Sequence, residues 1–324
     1  MRGPARRLDA ELSVPPQAHG ARCATFLAEH FPSLSHAALE RLFRSRRIGV
    51  NGRPATPDQT LNPGDRISLP AETARRAARI AAPIALDILY ENPVCAVLFK
   101  PAGVVMEPGA GHRHGTLRDA LLAHYGAPQR AIGPRHDSGL VHRLERDTSG
   151  VLLVARSVTA HGILVRQFAE HEVRKTYLAL AAGDLPIGVR LLLKDPLKKV
   201  RLPRRSAVRA SRSGAAAETV VRPLETFARG RCTLVEASPK TGRTHQIRVH
   251  LAGAGHPLLG DSEYGDPLAN SQAARQWGLR RIFLHAQRIR FLDPVTHHPI
   301  EVEAELPKDL ALVIHRLEQP GEKV

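Results

Sequence analysis

Residues 139–157 read GLVHRLERDTSGVLLVARS. Five ionisable side chains, His142, Arg143, Glu145, Arg146 and Asp147, fall within six positions. Thr148-Ser149-Gly150 then makes a turn, and residues 151–155 are an unbroken apolar run. A short apolar run bounded by a turn predicts a buried strand. A packed core has no use for so many charges, so the polar segment reads as a loop held rigid by the strand behind it, where sites are commonly carried. A solvated charged turn is the plain alternative, and the Thr-Ser-Gly turn with its strand weighs against it.

A second signature lies at residues 238–264, SPKTGRTHQIRVHLAGAGHPLLGDSEY. Residues 239–242 form a turn, Thr244 can cap a short helix over 245–251, and Gly253, Gly255, Pro257 and Gly260 enforce a compact loop. His245, Gln246, Arg248 and His250 share so short a helix that some of them must face a polar site.

Lys and Arg outnumber Asp and Glu 47 to 31, a formal net charge of +16 on 324 residues, which points to a polyanionic partner. Nucleic acid is the first candidate. An anionic membrane is the second, but no apolar run has the length of a spanning helix, and residues 1–17 lack the apolar segment of a signal peptide, so the expected location is the cytoplasm. Cys23, Cys95 and Cys232 are far apart and without metal-ligand spacing, and read as core residues in a reducing compartment. Neither disulfide nor metal is expected. Aromatic residues make up only 4%, which argues against a broad base-stacking platform and for recognition through backbone charge, shape and a few pocket contacts.

Residues 1–17 read as a basic flexible arm without periodicity. A compact unit is expected over 18–70: a helix to about His30, then a second, capped by Ser35, to about Arg46. Leu39, Leu42 and Phe43 form the second helix's apolar face, with Arg41, Arg44, Arg46 and Arg47 on or near the other side. Asn51-Gly52 marks a hairpin, and the turn at 62–65 feeds a strand over 67–69. This pattern resembles the small RNA-binding domain named for the fourth small-subunit ribosomal protein, and phosphate contact explains its arginines more simply than a solvated helix does.

Residues 71–85 are a linker, and a second domain follows over 86–317. Strands are expected over 86–90 and 94–99, with 104–106 able to resume the second, and Thr116 can cap a helix over 117–124. His112 and His114 are polar loop residues rather than metal ligands. Residues 158–170 carry helical spacing, and residues 173–180 alternate as a strand with Lys175 and Tyr177 on one face. Tyr177 is either half-buried core or the wall of a polar cleft. The most basic run, residues 194–212, includes Lys198, Lys199, Arg204 and Arg205; it is either a solvated loop or a phosphate-facing one. Strands over 219–221, 232–236, 282–286 and 288–292 complete the pattern, and residues 318–324 are a tail.

Together, KPAG at 100–103, HRLERDTSG at 142–150, KTY at 175–177 and TGRTHQIRVH at 241–250 resemble the RluA-type RNA pseudouridine synthases, in order across about residues 86–307. The resemblance implies an α+β fold: a mixed, largely antiparallel sheet flanked by helices, plus the small N-terminal α/β RNA-binding domain. It implies an isomerase that flips a uridine out of the RNA, detaches the base from its ribose, turns it and rejoins it through carbon 5, with no metal or organic cofactor. The expected partner is RNA, ribosomal above all and transfer RNA as a second option; the protein is read as a monomer with no membrane partner. By position, the family's catalytic aspartate falls on Glu145. Arg143 would fill the space left by the flipped base, Tyr177 would pack on the uracil, and Arg248 would pair with the carboxylate. Arg243 and His245 would contact RNA.

The departure is Glu145 itself. Reference pKa values of aspartate and glutamate differ by only about 0.4, so reach is the issue. One extra bond moves the carboxylate by up to ~1.5 Å, and a misplacement of about 1 Å can cost on the order of a hundredfold in rate. Two readings follow: a working synthase whose pocket accommodates Glu145, or an RNA-binding paralogue that is weak or inactive in catalysis. Retention of Arg143, Tyr177, Arg248 and the turn framework favours the first. A metal-dependent nuclease is set aside for want of a convergent carboxylate cluster.

Overall fold

The computed structural model describes residues 9–31, 36–71, 73, 84–109, 115–133, 138–201, 206–228 and 231–319. Ser35, His112, His114, Arg204, Arg205, most of the linker and the ends of the arm and tail lie outside them. The chain divides into two compact units, residues 1–85 with 107–124, and residues 86–106 with 125–324.

In the first unit, β1 (Asp9–Ser13), β2 (Gly49–Val50), β3 (Arg53–Pro54) and β4 (Arg66–Pro70) form an antiparallel sheet in the order β1-β4-β2-β3. With α1 (Cys23–His30) and α2 (His36–Arg44) they enclose a core of Phe26, Leu27, Leu39, Phe43, Ile48, Ile67 and Leu69. Asn51 and Gly52 both take positive φ, 50° and 78°, as the two-residue hairpin turn requires. The Asn51 amide donates to Asp65 at 2.8 Å and its carbonyl accepts from the Arg66 N–H at 2.8 Å, tying one turn to the next. Arg41, Arg44, Arg46 and Arg47 are all exposed. In α3 (Leu117–Tyr125), Thr116 and Asp119 exchange hydrogen bonds in a capping box.

The expected arm over 1–17 needs correction at β1. Its five residues pair with β4, and Ala10 and Leu12 pack against the core. Two small apolar positions make too faint an alternation to read locally, and the partner strand lies far along the chain.

The second unit contains β5 (Asp87–Glu91), β6 (Cys95–Lys100), β7 (Ser149–Ala155), β8 (Arg174–Ala182), β9 (Leu191–Leu193), β10 (Leu197–Arg201), β11 (Ser206–Ala210), β12 (Thr219–Phe227), β13 (Cys232–Pro239), β14 (Leu284–Leu292) and β15 (Pro299–Glu303). The main sheet runs β5-β6-β7-β14-β8-β13-β12-β9, with β15 on β14, and β10 and β11 form a separate hairpin. All pairings are antiparallel except β7 with β14, so the sheet is mixed and largely antiparallel. All seven residues of β7 are buried at its centre. Gly150 is required there: its φ is +123°, and an added Cβ would fall on the Ala286 carbonyl oxygen.

The strands expected over 282–286 and 288–292 are one strand, β14, which begins only at Leu284 and whose register shifts between Ala286 and Arg288 opposite Tyr177 and Thr176. A bulge preserves a strand while breaking its alternation, which is why the sequence reads as two. Residues 104–106 do not resume a strand, and the basic run contains the β10–β11 hairpin rather than a loop throughout.

Ser157 caps α5 (Val158–Ala169), accepting from the Ala160 N–H at 3.2 Å. Three helices had no sequence expectation: α4 (Ala127–Ile132), α7 (Pro267–Gln276) and α8 (Lys308–Glu318). The last buries Leu310, Val313 and Leu317 with Trp277 and Phe283. Between them, α6 (Gln246–Gly253) starts at His245, whose left-handed φ of 55° makes it the capping position in place of Thr244.

Candidate active site

The loop opening β7 is held from below by two cations, the buried Lys100 and the half-buried Arg281. Lys100 is fully buried, and its ammonium donates to the carbonyls of Pro101 at 2.9 Å, Val104 at 3.0 Å and Arg146 at 3.0 Å. The Gly103 N–H donates to the same Arg146 carbonyl at 2.7 Å, so the KPAG turn and the charged loop are one clasp. Arg281 reaches the Asp147 carbonyl and the Ser149 hydroxyl, both at 3.2 Å, while ion-paired to Asp309 at 2.7 Å. Arg146 and Asp147 pair with each other at 2.9 Å, which takes Asp147 away from Glu145's role. His142 accepts from the Leu153 N–H at 2.9 Å and stacks on Phe168 at 4.7 Å. Burial, and then the charge of Lys175, pulls its pKa down to about 3, so this imidazole is neutral.

Glu145 and Arg248, 103 residues apart, meet at 2.7 Å. The Arg248 guanidinium is shared: its other edge grips Asp261 with two bonds of 2.7 Å, and Glu263 stands 3.5 Å away. Asp261 is fully buried and also accepts from the N–H groups of Glu263 and Tyr264, at 2.9 Å and 3.1 Å. Burial works against both charges. The Arg248 pair and the two N–H groups outweigh it for Asp261, whose pKa falls; Asp261 and Glu145 outweigh it for Arg248, whose pKa rises. Arg248 also lies over the Tyr264 ring, 4.8 Å from its centroid.

Tyr177 is buried on β8, and burial, then the negative charge of Glu145, raises its phenol pKa, which keeps the ring neutral. Of the expected trio, Glu145 and Arg248 are in direct contact and Tyr177 lies within electrostatic reach of Glu145. Arg143 is exposed beside it and makes no hydrogen bond or ion pair among the described residues.

His245 turns inward instead of projecting from the surface: its Nδ1 lies 2.8 Å from the Tyr264 hydroxyl and 3.6 Å from Glu263. Gln246 and His250 are structural, bonding Thr241, Glu218, Thr219 and the Asp195 carbonyl. Arg243 is exposed; its side chain donates to the Ala216 carbonyl at 3.1 Å and its backbone N–H to the Gln246 side chain at 3.0 Å. Lys198 and Lys199 are exposed on β10, and Lys198 sits directly opposite Arg209, a like-charge pair that an external anion would relieve. The hairpin is tied to the site, because the Val208 N–H donates to the Tyr264 hydroxyl at 2.9 Å.

Asp261, Glu263 and Tyr264 were not singled out from sequence, although all three stand in the GDSEY segment. The available signal was Gly260 before an acid; the arginine it answers to is set by the fold. Among the described residues no group of three His, Cys, Asp or Glu side chains could hold a metal ion, and no helix is long and apolar enough to cross a membrane.

Comparison with known proteins bears on this geometry. Residues 94–253 match the family described as RNA pseudouridylate synthase. The chain is 35% identical to the ribosomal large subunit pseudouridine synthase D of Neisseria meningitidis serogroup B, covering 95% of this chain and 82% of that one. It is 37% identical to the protein of the same name from Xanthomonas campestris pv. campestris, over 94% and 92% of the two chains. A ribosomal large subunit pseudouridine synthase C from Vibrio vulnificus is 35% identical over 92% and 93%. Among solved structures, human RNA pseudouridylate synthase domain containing 4 superposes with a TM-score of 0.54 at 26% identity, over 72% of this chain and 95% of that one.

Proposed function

The chain belongs to the RluA-type RNA pseudouridine synthase family, and from that premise we propose that it isomerises specific uridines of large-subunit ribosomal RNA, with Glu145 as the working carboxylate. The observation that carries the assignment is the 2.7 Å ion pair between Glu145 and Arg248 beside the buried Tyr177. The reaction breaks the bond from uracil N1 to the ribose, makes one from C5, and moves one proton from C5 to N1. It needs a carboxylate aimed at the ribose or base, an enclosed surface for the ring and a fixed counter-charge. Glu145, Tyr177 and Arg248 supply these in turn.

Arg143, exposed and unengaged, would enter the stack in place of the flipped base. Arg41, Arg44 and Arg47 in the first unit and Lys198 and Lys199 on the hairpin would hold RNA by its phosphates, so affinity would fall steeply with salt. The protein would act as a cytoplasmic monomer.

The competing reading is an RNA-binding protein whose chemistry is weak or lost, and the extra methylene of Glu145 is the observation that favours it. Pseudouridine mapping of ribosomal and transfer RNA from cells lacking the protein, complemented with wild type, Glu145→Asp or Glu145→Ala, separates the two. Restoration by wild type but not by Glu145→Ala is the expected result. Restoration by Glu145→Asp alone would make the natural protein a binder.

A further inference from the structure

Lys175 is a half-buried cation that the catalytic trio does not use. It stands two residues before Tyr177 on β8, so both side chains lie on one face, about 6.6 Å apart along the strand. Its ammonium sits 5.6 Å from the centre of the Phe168 ring. Among the described residues it makes no hydrogen bond and no ion pair. The three carboxylates of the site all gather on Arg248 instead. Gly242, in the turn before α6, faces the same ammonium, and a Cβ there would come within 3.9 Å of it.

An ammonium that gives up part of its hydration and gains no acceptor in exchange is destabilised. The nearby His142 is neutral and the Phe168 ring offers only its π face, so neither replaces an anion. Burial also lowers the lysine's own pKa, and no carboxylate offsets it. An anion arriving from outside would give it the partner that the described residues do not supply. One strand repeat from the tyrosine that packs on the base is the reach of that nucleotide's own backbone.

We propose that Lys175 receives a backbone phosphate of the RNA at the flipped nucleotide, fixing the register of the strand while Tyr177 covers the base. This rests on the reading of the cleft as the site of uridine isomerisation. It makes Lys175 a binding residue: it acts on the ground state and the transition state alike, and so on KM more than on kcat.

The test measures the affinity of the full-length protein for an in vitro transcript of large-subunit ribosomal RNA across a salt series, for wild type, Lys175→Gln and Lys175→Arg, with a thermal melt of each. The expected result is a roughly tenfold weaker Kd for Lys175→Gln, a salt slope shallower by about 0.7, and recovery of both in Lys175→Arg. If Lys175→Gln melts early, Lys175→Met, which keeps the stem packed and drops only the charge, reads the same quantities. An unchanged Kd and salt slope in a folded variant, or a loss confined to kcat, would overturn the proposal. Because binding is read without turnover, a wild-type protein that forms no pseudouridine would sink the catalytic reading and leave this one testable.

Discussion

Arg248 gives Asp261 two of its guanidinium nitrogens, at 2.7 Å each, and has one left for Glu145. Asp261 therefore sets the plane of the guanidinium, and the guanidinium sets where the Glu145 carboxylate rests. The bidentate fork has a geometry that lysine cannot copy.

Asp261→Asn keeps the shape of that side chain and removes its charge, leaving Arg248 buried with one strong partner fewer. Breaking a buried pair from one side costs about 3–5 kcal/mol, to be read from urea unfolding. The rate should fall on the order of a hundredfold as Glu145 loses its fixed support, to be read in single-turnover assays. A variant with parental stability and rate would rule out the clamp.

Lys100→Met addresses the floor of the same loop. The carbonyls of Pro101 and Val104 lose their ammonium donor at once, and the Arg146 carbonyl keeps only the Gly103 N–H. A buried acceptor left without a partner costs about 1–3 kcal/mol. A loss on the order of 3 kcal/mol in chemical denaturation is expected, with a drop in kcat because Arg146 immediately follows Glu145. A variant that unfolds at the parental midpoint would mean that the clasp adds nothing.

His142 predicts a pH dependence. Its folded pKa is about 3 against an ordinary 6.5, so between these values the unfolded chain holds the extra proton. Stability from this group is complete above pH 6.5 and is lost as pH falls from 6.5 toward 3. His142→Gln, which still offers Leu153 an acceptor, should unfold with a flatter acid profile than the parent. Superimposable profiles would contradict an imidazole held neutral by the fold.

Gly150→Ala tests the seam where β7 meets β14 in parallel. The added methyl would overlap the Ala286 carbonyl, and φ of +123° is closed to alanine. A destabilisation of about 3 kcal/mol or more is expected from overpacking and strain together, seen as a lower Tm or as insoluble protein. Normal folding would show that the seam can open.

Much of the frame is written locally. The apolar run ending at Ala155 makes β7, Asn51-Gly52 makes its hairpin, and Ser157 caps α5, because turn chemistry, capping and hydrophobic period depend on residues a few positions apart. The two charged signatures were visible for the same reason: no local structure has a use for such side chains. Elements with weak local patterns escaped, as β1, α7 and α8 did, since their burial is conferred by partners distant in the chain.

For the site, the sequence by itself determined that Glu145, Tyr177 and Arg248 are present and chemically suited to one another. Only the tertiary structure decided that Arg248 answers to Asp261 as well as to Glu145, that Asp147 turns to Arg146, that His245 faces inward, and that Lys175 is left without an anion. A charge can be read from its residue type. Its partner depends on which backbones the sheet register and the loop clasps bring within about 3 Å, and that is a property of the folded chain.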